Sequence, residues 1–109
     1  MKPIVFAGDS LDVIRRFPEG IRQSVGYQLD RVQRGLEPND WKPMNSIGGG
    51  VREIRLRDES GAYRTIYLAT FGDAIHVLHA FQKKSQKTLQ RDLEIARRRL
   101  SALLRGAAP

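Results

Sequence analysis

Two short polar breaks, Asp58-Glu59-Ser60-Gly61 and Gly72-Asp73, divide the stretch from Gly48 to Lys84 into three runs rich in β-branched, aromatic and aliphatic residues. Breaks of this chemistry between such runs are hairpin signals, so Val51–Arg57, Ala62–Thr70 and Ala74–Phe81 are expected to form a three-stranded antiparallel meander. Once the turns are placed, so is the register. Counting back from the first turn sets Arg55 opposite Arg64, and Arg55, Arg57 and Arg64 then project from one face. With Gly72-Asp73 as a two-residue loop, Arg64 faces Phe81, and Glu53, Ile66 and His79 fall in one cross-strand row. Like charges directly opposite one another destabilise a sheet, so the collection points to a site rather than a scaffold. A bulge that turned Arg55 and Arg64 apart, or neutralisation by Glu53 and Glu59, would give the same residues a structural meaning.

The flanking chain supplies what such a sheet packs against. Ile4-Val5-Phe6-Ala7 reads as a short strand ended by Gly8-Asp9. Ser10 can cap a first helix whose Leu11, Ile14 and Phe17 recur at helical spacing. Pro18 stops it and can open a second helix from about Glu19 to Gly35, with Ile21, Val25, Leu29 and Val32 on one stripe. Arg15, Arg16, Arg22, Arg31 and Arg34 are then outward, as a solvated face. Residues 36–50 hold two prolines and three consecutive glycines without periodicity, and are expected to be a long loop in which Trp41 plugs a core edge and Gly48–Gly50 form a flexible entry to the next strand. A final helix from about Thr88 to Arg105 repeats Leu89, Leu93, Ala96, Leu100 and Leu103 or Leu104, and Gly106 ends it.

A chain of 109 residues without cysteine is expected to form a single domain, 1–109, with a core large enough to need no disulfides. Its apolar runs are only of strand length, which argues against a membrane span, and the one at the amino terminus is too short for a secretory signal; a soluble, cytoplasmic protein is expected. The net charge of +7 is unevenly spread: residues 83–109 carry 8 basic and 2 acidic side chains, whereas the earlier segments are nearly balanced. That bias suggests a polyanionic partner. No pattern supports nucleotide hydrolysis, zinc binding or a serine triad. Histidine is the side chain type suited to carrying protons near neutrality, but His76 and His79 lack a carboxylate or cysteine at metal-ligand spacing, so neither a metal nor another cofactor is expected. Fixed positive charge with one or two proton carriers suits a phosphodiester, whose phosphate guanidinium groups hold and neutralise.

Lys42-Pro43-Met44, Arg52-Glu53-Ile54-Arg55, Tyr63-Arg64 with Tyr67, Leu78-His79-Ala80-Phe81, Lys83-Lys84, Gln86-Lys87-Thr88 and the Ala96-Arg97 helix together resemble the RelE/ParE superfamily of bacterial toxins, and more closely its phage-derived HigB-like branch. The resemblance spans essentially the whole chain. It implies an α+β, RelE-like fold: a small antiparallel sheet, the N-terminal strand plus the meander, packed with an N-terminal helical hairpin and a C-terminal helix. It also implies a ribosome-associated mRNA endonuclease neutralised by a helix-turn-helix, HigA-like antitoxin. Arg64 would contact the scissile phosphate, Lys83 and Lys84 would contribute, and Arg55 and Arg57 occupy second-strand basic positions. A late tyrosine that some relatives use has no counterpart after Tyr67.

On this reading the ribose 2′-hydroxyl attacks the adjacent phosphate, Arg64, Arg55, Lys83 and Lys84 stabilise the charge, and His79 or Glu53 takes the proton. Arg57, Lys87, Arg91, Arg97, Arg98 and Arg99 bind RNA. The triple arginine starts roughly 20 Å of helix beyond Lys84 and should act as a long-range attractor. Two other readings use the same residues: a non-catalytic, ParE-like toxin that inhibits DNA gyrase by protein contact, or simple nucleic-acid binding through the last helix. The sheet arginines favour the first, because a gyrase binder needs no phosphate pocket.

Overall fold

The computed structural model describes residues 1–106. The elements run β1 (Ile4–Phe6), α1 (Ser10–Arg15), α2 (Glu19–Gln33), β2 (Trp41–Pro43), β3 (Val51–Asp58), β4 (Gly61–Leu68), β5 (Ile75–Lys83) and α3 (Gln90–Leu104). They build one sheet in the order β1-β5-β4-β3-β2, covered on both faces. Ile14, Phe17 and the α2 stripe Ile21, Val25, Leu29 and Val32 bury one face against Ile54, Tyr63, Tyr67, Ile75, Val77 and Ala80. Ala96 and Leu100 of α3, with Met44 and Ile47, bury the other against Val51, Ile66, Leu68, Leu78 and Phe81. Cover on both sides explains why β4 and β5 lack the alternation of a half-exposed strand.

The meander has the expected register, with Arg55 paired to Arg64, Arg64 to Phe81, and Glu53, Ile66 and His79 in one row. The loop before β5 is longer than two residues, and a bulge compensates. Tyr67 pairs with Val77 and Ile66 with His79, so Leu78 has no partner on β4. The extra residue puts Leu78 and His79 in succession on the α3 side, Leu78 in the core there and His79 against Asp92 of α3. The bulge lies beyond the arginine pair and leaves it intact. The first turn is tighter than expected: Asp58 pairs with Gly61, and its carboxylate accepts from the Ser60 amide at 2.8 Å and the Ser60 hydroxyl at 2.6 Å.

Four expectations are corrected. The sheet is mixed and five-stranded, because β1 runs parallel to β5 and a further strand, β2, lies within the expected loop and pairs Trp41, Lys42 and Pro43 with Ile54, Glu53 and Arg52. Pro43 fits there because β2 is an edge strand, where a missing donor costs no ladder bond. Gly48 belongs to a packed turn rather than a flexible entry: its amide donates to the Met44 carbonyl, and a methyl group there would meet Leu100 of α3 at 2.5 Å. Ser10 is the first residue of α1, not its cap. It is buried and its hydroxyl donates to the Val77 carbonyl, while Asp9 precedes the helix.

Candidate nucleic-acid interface

Glu53, Arg55 and Arg57 of β3, Ala62 and Arg64 of β4, and Phe81 and Lys83 of β5 share the α3-side face near its uncovered end, because alternate residues of paired strands point the same way. Lys42 of β2 joins them through its pairing with Glu53. The motif Tyr63-Arg64 is therefore split by the sheet: Tyr63 packs under α1 and α2 while Arg64 faces the cations.

Arg64 is only 5% exposed and Glu53 1%. The Arg64 Nε lies 3.5 Å from a Glu53 carboxylate oxygen, and an Arg64 Nη donates to the Tyr63 carbonyl at 3.1 Å. The other Glu53 oxygen and the Arg64 Nε have no hydrogen-bond partner within the protein. Burial pulls the Arg64 pKa below that of a free guanidinium, Glu53 opposes this, and Arg55 and Arg57 add to it. Glu53 thus offsets one arginine and leaves the rest of the cluster uncompensated. Glu59 sits exposed in the turn and takes no part in an ion pair among the described residues.

An open groove of about 490 Å³ runs over this face, lined by Arg57, Arg64, Lys83, Lys84 and Ser85. Arg57 and Lys84 are exposed, Arg55 and Lys83 half-buried, and none of the four has a carboxylate within ion-pair distance among the described residues. The Lys83 pKa is lowered, first by burial and then by Arg64, with Lys42 and Arg55 adding and Glu53 opposing. A concavity holding this much unpaired positive charge attracts anions by its electrostatics.

The two candidate proton acceptors lie elsewhere than expected. Glu53 is beneath Arg64. His79 is 6% exposed, its Nε2 sits 2.8 Å from the Asp92 Oδ1, and its ring stacks on Phe81 with centroids 5.3 Å apart. Its Nδ1 has no partner within the protein. Neither residue lines the groove. Alternation alone puts both on the site face; the helix that covers the far half of that face is not legible from the strands. Nor is Asp92, which reaches His79 only through the docking of α3.

The basic residues after β5 separate. Lys87 and Arg91 are exposed and border a neighbouring cleft. Arg97 and Arg99 are spoken for: the Arg97 Nε donates to the Ser46 carbonyl at 2.8 Å, and Arg99 donates to the Leu78 carbonyl at 3.0 Å and the Asp9 carboxylate at 2.8 Å. The Arg99 guanidinium occupies the space where a side chain at Gly8 would stand, and Gly8 has a φ of +52°. Arg98 alone of the three is exposed. Sequence context marks neither of two further cations: Lys42, which joins the site face by pairing with Glu53, and Arg16, which reads as one more member of a solvated helix face and borders the neighbouring cleft.

Trp41 carries the Arg52 guanidinium over its ring at 3.9 Å, and Arg52 lies 3.5 Å from Glu37. The tryptophan is half-buried on the edge strand β2, with an arginine over its ring, and does not plug either core cluster. Among the described residues no group of three or more His, Asp or Glu side chains is placed to hold a metal ion, and no helix is long and apolar enough to cross a membrane.

A mixed sheet with a helical hairpin on one face and a terminal helix on the other, its uncovered end lined with cations, is the RelE-like α+β fold. The chain matches the crystal structure of the isolated E. coli RelE toxin with a TM-score of 0.62 and 18% identity, covering 79% of this chain and 89% of that one. It matches a chain of the intact E. coli RelBE toxin–antitoxin complex with a TM-score of 0.60 and 18% identity, covering 78% and 100%. The sequence pattern described as phage-derived protein Gp49-like (DUF891) matches residues 12–101, and the protein belongs to that family. No curated protein matches it.

Proposed function

We propose that the protein is the toxin of a type II toxin–antitoxin pair, of the HigB-like branch, and that it cleaves mRNA at the ribosome as a metal-independent endoribonuclease. The RelE-like fold and the Gp49-like family support the class of protein. The observation that carries the chemistry is the groove in which Arg57, Lys83 and Lys84 stand around Arg64 with no carboxylate paired to any of the three among the described residues. A protein-binding surface has no need of such a concentration of unpaired cations in a concavity.

In the reaction the 2′-oxygen forms a bond to phosphorus as the bond from phosphorus to the 5′-oxygen breaks, leaving a 2′,3′-cyclic phosphate and a 5′-hydroxyl. The 2′-hydroxyl proton passes to water in the open groove, and water returns one to the departing oxygen. Lys84 and Arg57 reach the phosphate from the rim, and Arg64 and Lys83 lie beneath it. Arg55 strengthens their field. Their part is alignment and stabilisation of charge developing on the phosphoryl oxygens. Glu53 and His79 act as positioning residues, the first by holding Arg64 and the second by holding α3. A helix-turn-helix, HigA-like antitoxin is the partner, as the RelBE complex has an antitoxin of its own.

Expression of the chain decides between this reading and a gyrase-directed toxin. Messenger RNA should be cut on ribosomes while plasmid supercoiling is unchanged. Intact RNA with relaxed DNA would overturn the proposal.

A further inference from the structure

A second cavity, of about 450 Å³, opens on the other flank of the Lys83–Ser85 segment, between the end of α1, the end of β5 and the start of α3. Arg16, Lys84, Lys87 and Arg91 stand around it, all exposed and none in an ion pair among the described residues. Its wall on the core side is apolar. Phe17 and Tyr63, with ring centroids 4.8 Å apart, close it on the core side. Pro18 and Leu89 offer apolar surface at the mouth, and Leu89 is 42% exposed although it borders a cation-rich cleft. The single carboxylate of the lining, Asp92, is already held by His79 at 2.8 Å.

An apolar wall and mouth beneath a ring of unpaired cations are complementary to a ligand with a flat apolar part and a fixed negative charge. A nucleotide is such a ligand. The volume falls in the range of sites for single small molecules, about 300–1,000 Å³, and a paired duplex does not expose a base to enter it. The cavity also adjoins the proposed catalytic groove, because Lys83, Lys84 and Ser85 lie between the two and line both.

Resting on the endoribonuclease reading, we propose that this cleft holds the nucleotide adjoining the scissile pair, so that single-stranded RNA crosses the Lys83–Ser85 segment from one groove into the other. Arg16, Lys87 and Arg91 take its phosphate and the apolar mouth takes its base. This assigns Arg16, at the end of a helix on the far side of the sheet from Arg64, to substrate binding, and divides Lys84 between two adjacent phosphates.

The test is binding of a single-stranded RNA oligonucleotide carrying 2′-deoxy substitutions, which removes the attacking hydroxyl and uncouples binding from cleavage. The Arg16→Glu, Lys87→Glu, Arg91→Glu triple variant should bind it roughly tenfold or more weakly, and the log–log salt slope should fall by about 0.7 for each phosphate that is no longer neutralised. Leu89→Ala should weaken binding of this oligonucleotide and leave binding of its fully abasic counterpart unchanged. Thermal melting of both variants verifies that they fold. An undiminished affinity and slope in the folded triple variant, while the unaltered protein cuts mRNA, overturns the cleft assignment alone. If the unaltered protein binds the oligonucleotide through the cleft but spares mRNA, the nuclease reading fails instead. If the unaltered protein does not bind RNA at all, both fail.

Discussion

At Arg64 a charge sits where the core begins. The residue is 5% exposed and its counterion Glu53 is 1% exposed, so removing the guanidinium leaves a carboxylate buried without a partner. Arg64→Ala is therefore expected to lower stability by about 3 kcal/mol in urea unfolding, and a loss of cleavage in that variant would not by itself report on chemistry. Arg64→Met combined with Glu53→Leu removes both charges at similar volume and should recover most of the stability. If Arg64 stabilises the developing charge, this folded double variant still cuts about a hundredfold to a thousandfold more slowly than the parent. Cleavage by the double variant at the parental rate would sink the role. Lys83 gives a pH signature. A lysine of lowered pKa loses its charge at a lower pH than an ordinary lysine, so cleavage should decline on the alkaline side as pH rises through that lowered value. Lys83→Arg keeps the charge throughout and should move the decline to higher pH, which a pH–rate profile measures directly.

The element that organises the site is α3, and it is fastened to the rest of the chain at three places: Arg97 on the Ser46 carbonyl, Arg99 on Asp9 and the Leu78 carbonyl, and Asp92 on His79. Arg99→Met should lower stability by about 1–2 kcal/mol, since it removes two charge-assisted hydrogen bonds made by a largely buried side chain. Arg98→Met, one residue away and exposed, should stay within about 0.5 kcal/mol. Equal melting temperatures for the two would mean that the Arg99 hydrogen bonds carry no stability. The hydrogen bond from Arg99 holds the Asp9 carboxyl below its usual pKa. Its contribution is therefore present above the ordinary carboxylate value and is lost as pH falls through the lowered one. Asp92→Ala leaves His79 buried with neither nitrogen paired, at a cost of about 1–3 kcal/mol. Hydrogen exchange should then quicken in the first turn of α3 before it does elsewhere; a change spread evenly over the chain would argue against a local clamp.

Over the molecule as a whole, the net charge of +7 is not one attractive field but several populations. Arg57, Lys83 and Lys84 line the groove, Arg16, Lys87 and Arg91 surround the cleft, and Arg97 and Arg99 are spent on carbonyl groups and Asp9. If its ammonium acts at the phosphate as proposed, Lys84→Ala should lower the maximal rate of cleavage on saturating RNA. Arg98→Ala should leave that rate alone and reduce only the salt dependence of association, by no more than the log–log slope that about one neutralised phosphate contributes. Exchange of these two outcomes would place α3 over the reacting phosphate rather than beside it.

The local parts of this design were legible in the amino-acid order. Turn chemistry at residues 58–61 and the run of alternating residues set Arg55 against Arg64, and helical spacing marked the stripe from Ile21 to Val32, because hairpin register and helix faces depend on near neighbours in the chain. Cation bias after Lys83 was equally visible. What only the tertiary structure decided depends on partners far apart in sequence. β1 finds β5, β2 emerges from an apparent loop by pairing with β3, and α3 covers half the arginine face, which turns Glu53 and His79 from reachable proton acceptors into buried braces. The same docking brings Asp92 to His79 and Arg99 to Asp9. Periodicity says which side of an element is polar; whether a polar group on that side meets solvent, a carboxylate or a carbonyl is settled by the element packed against it.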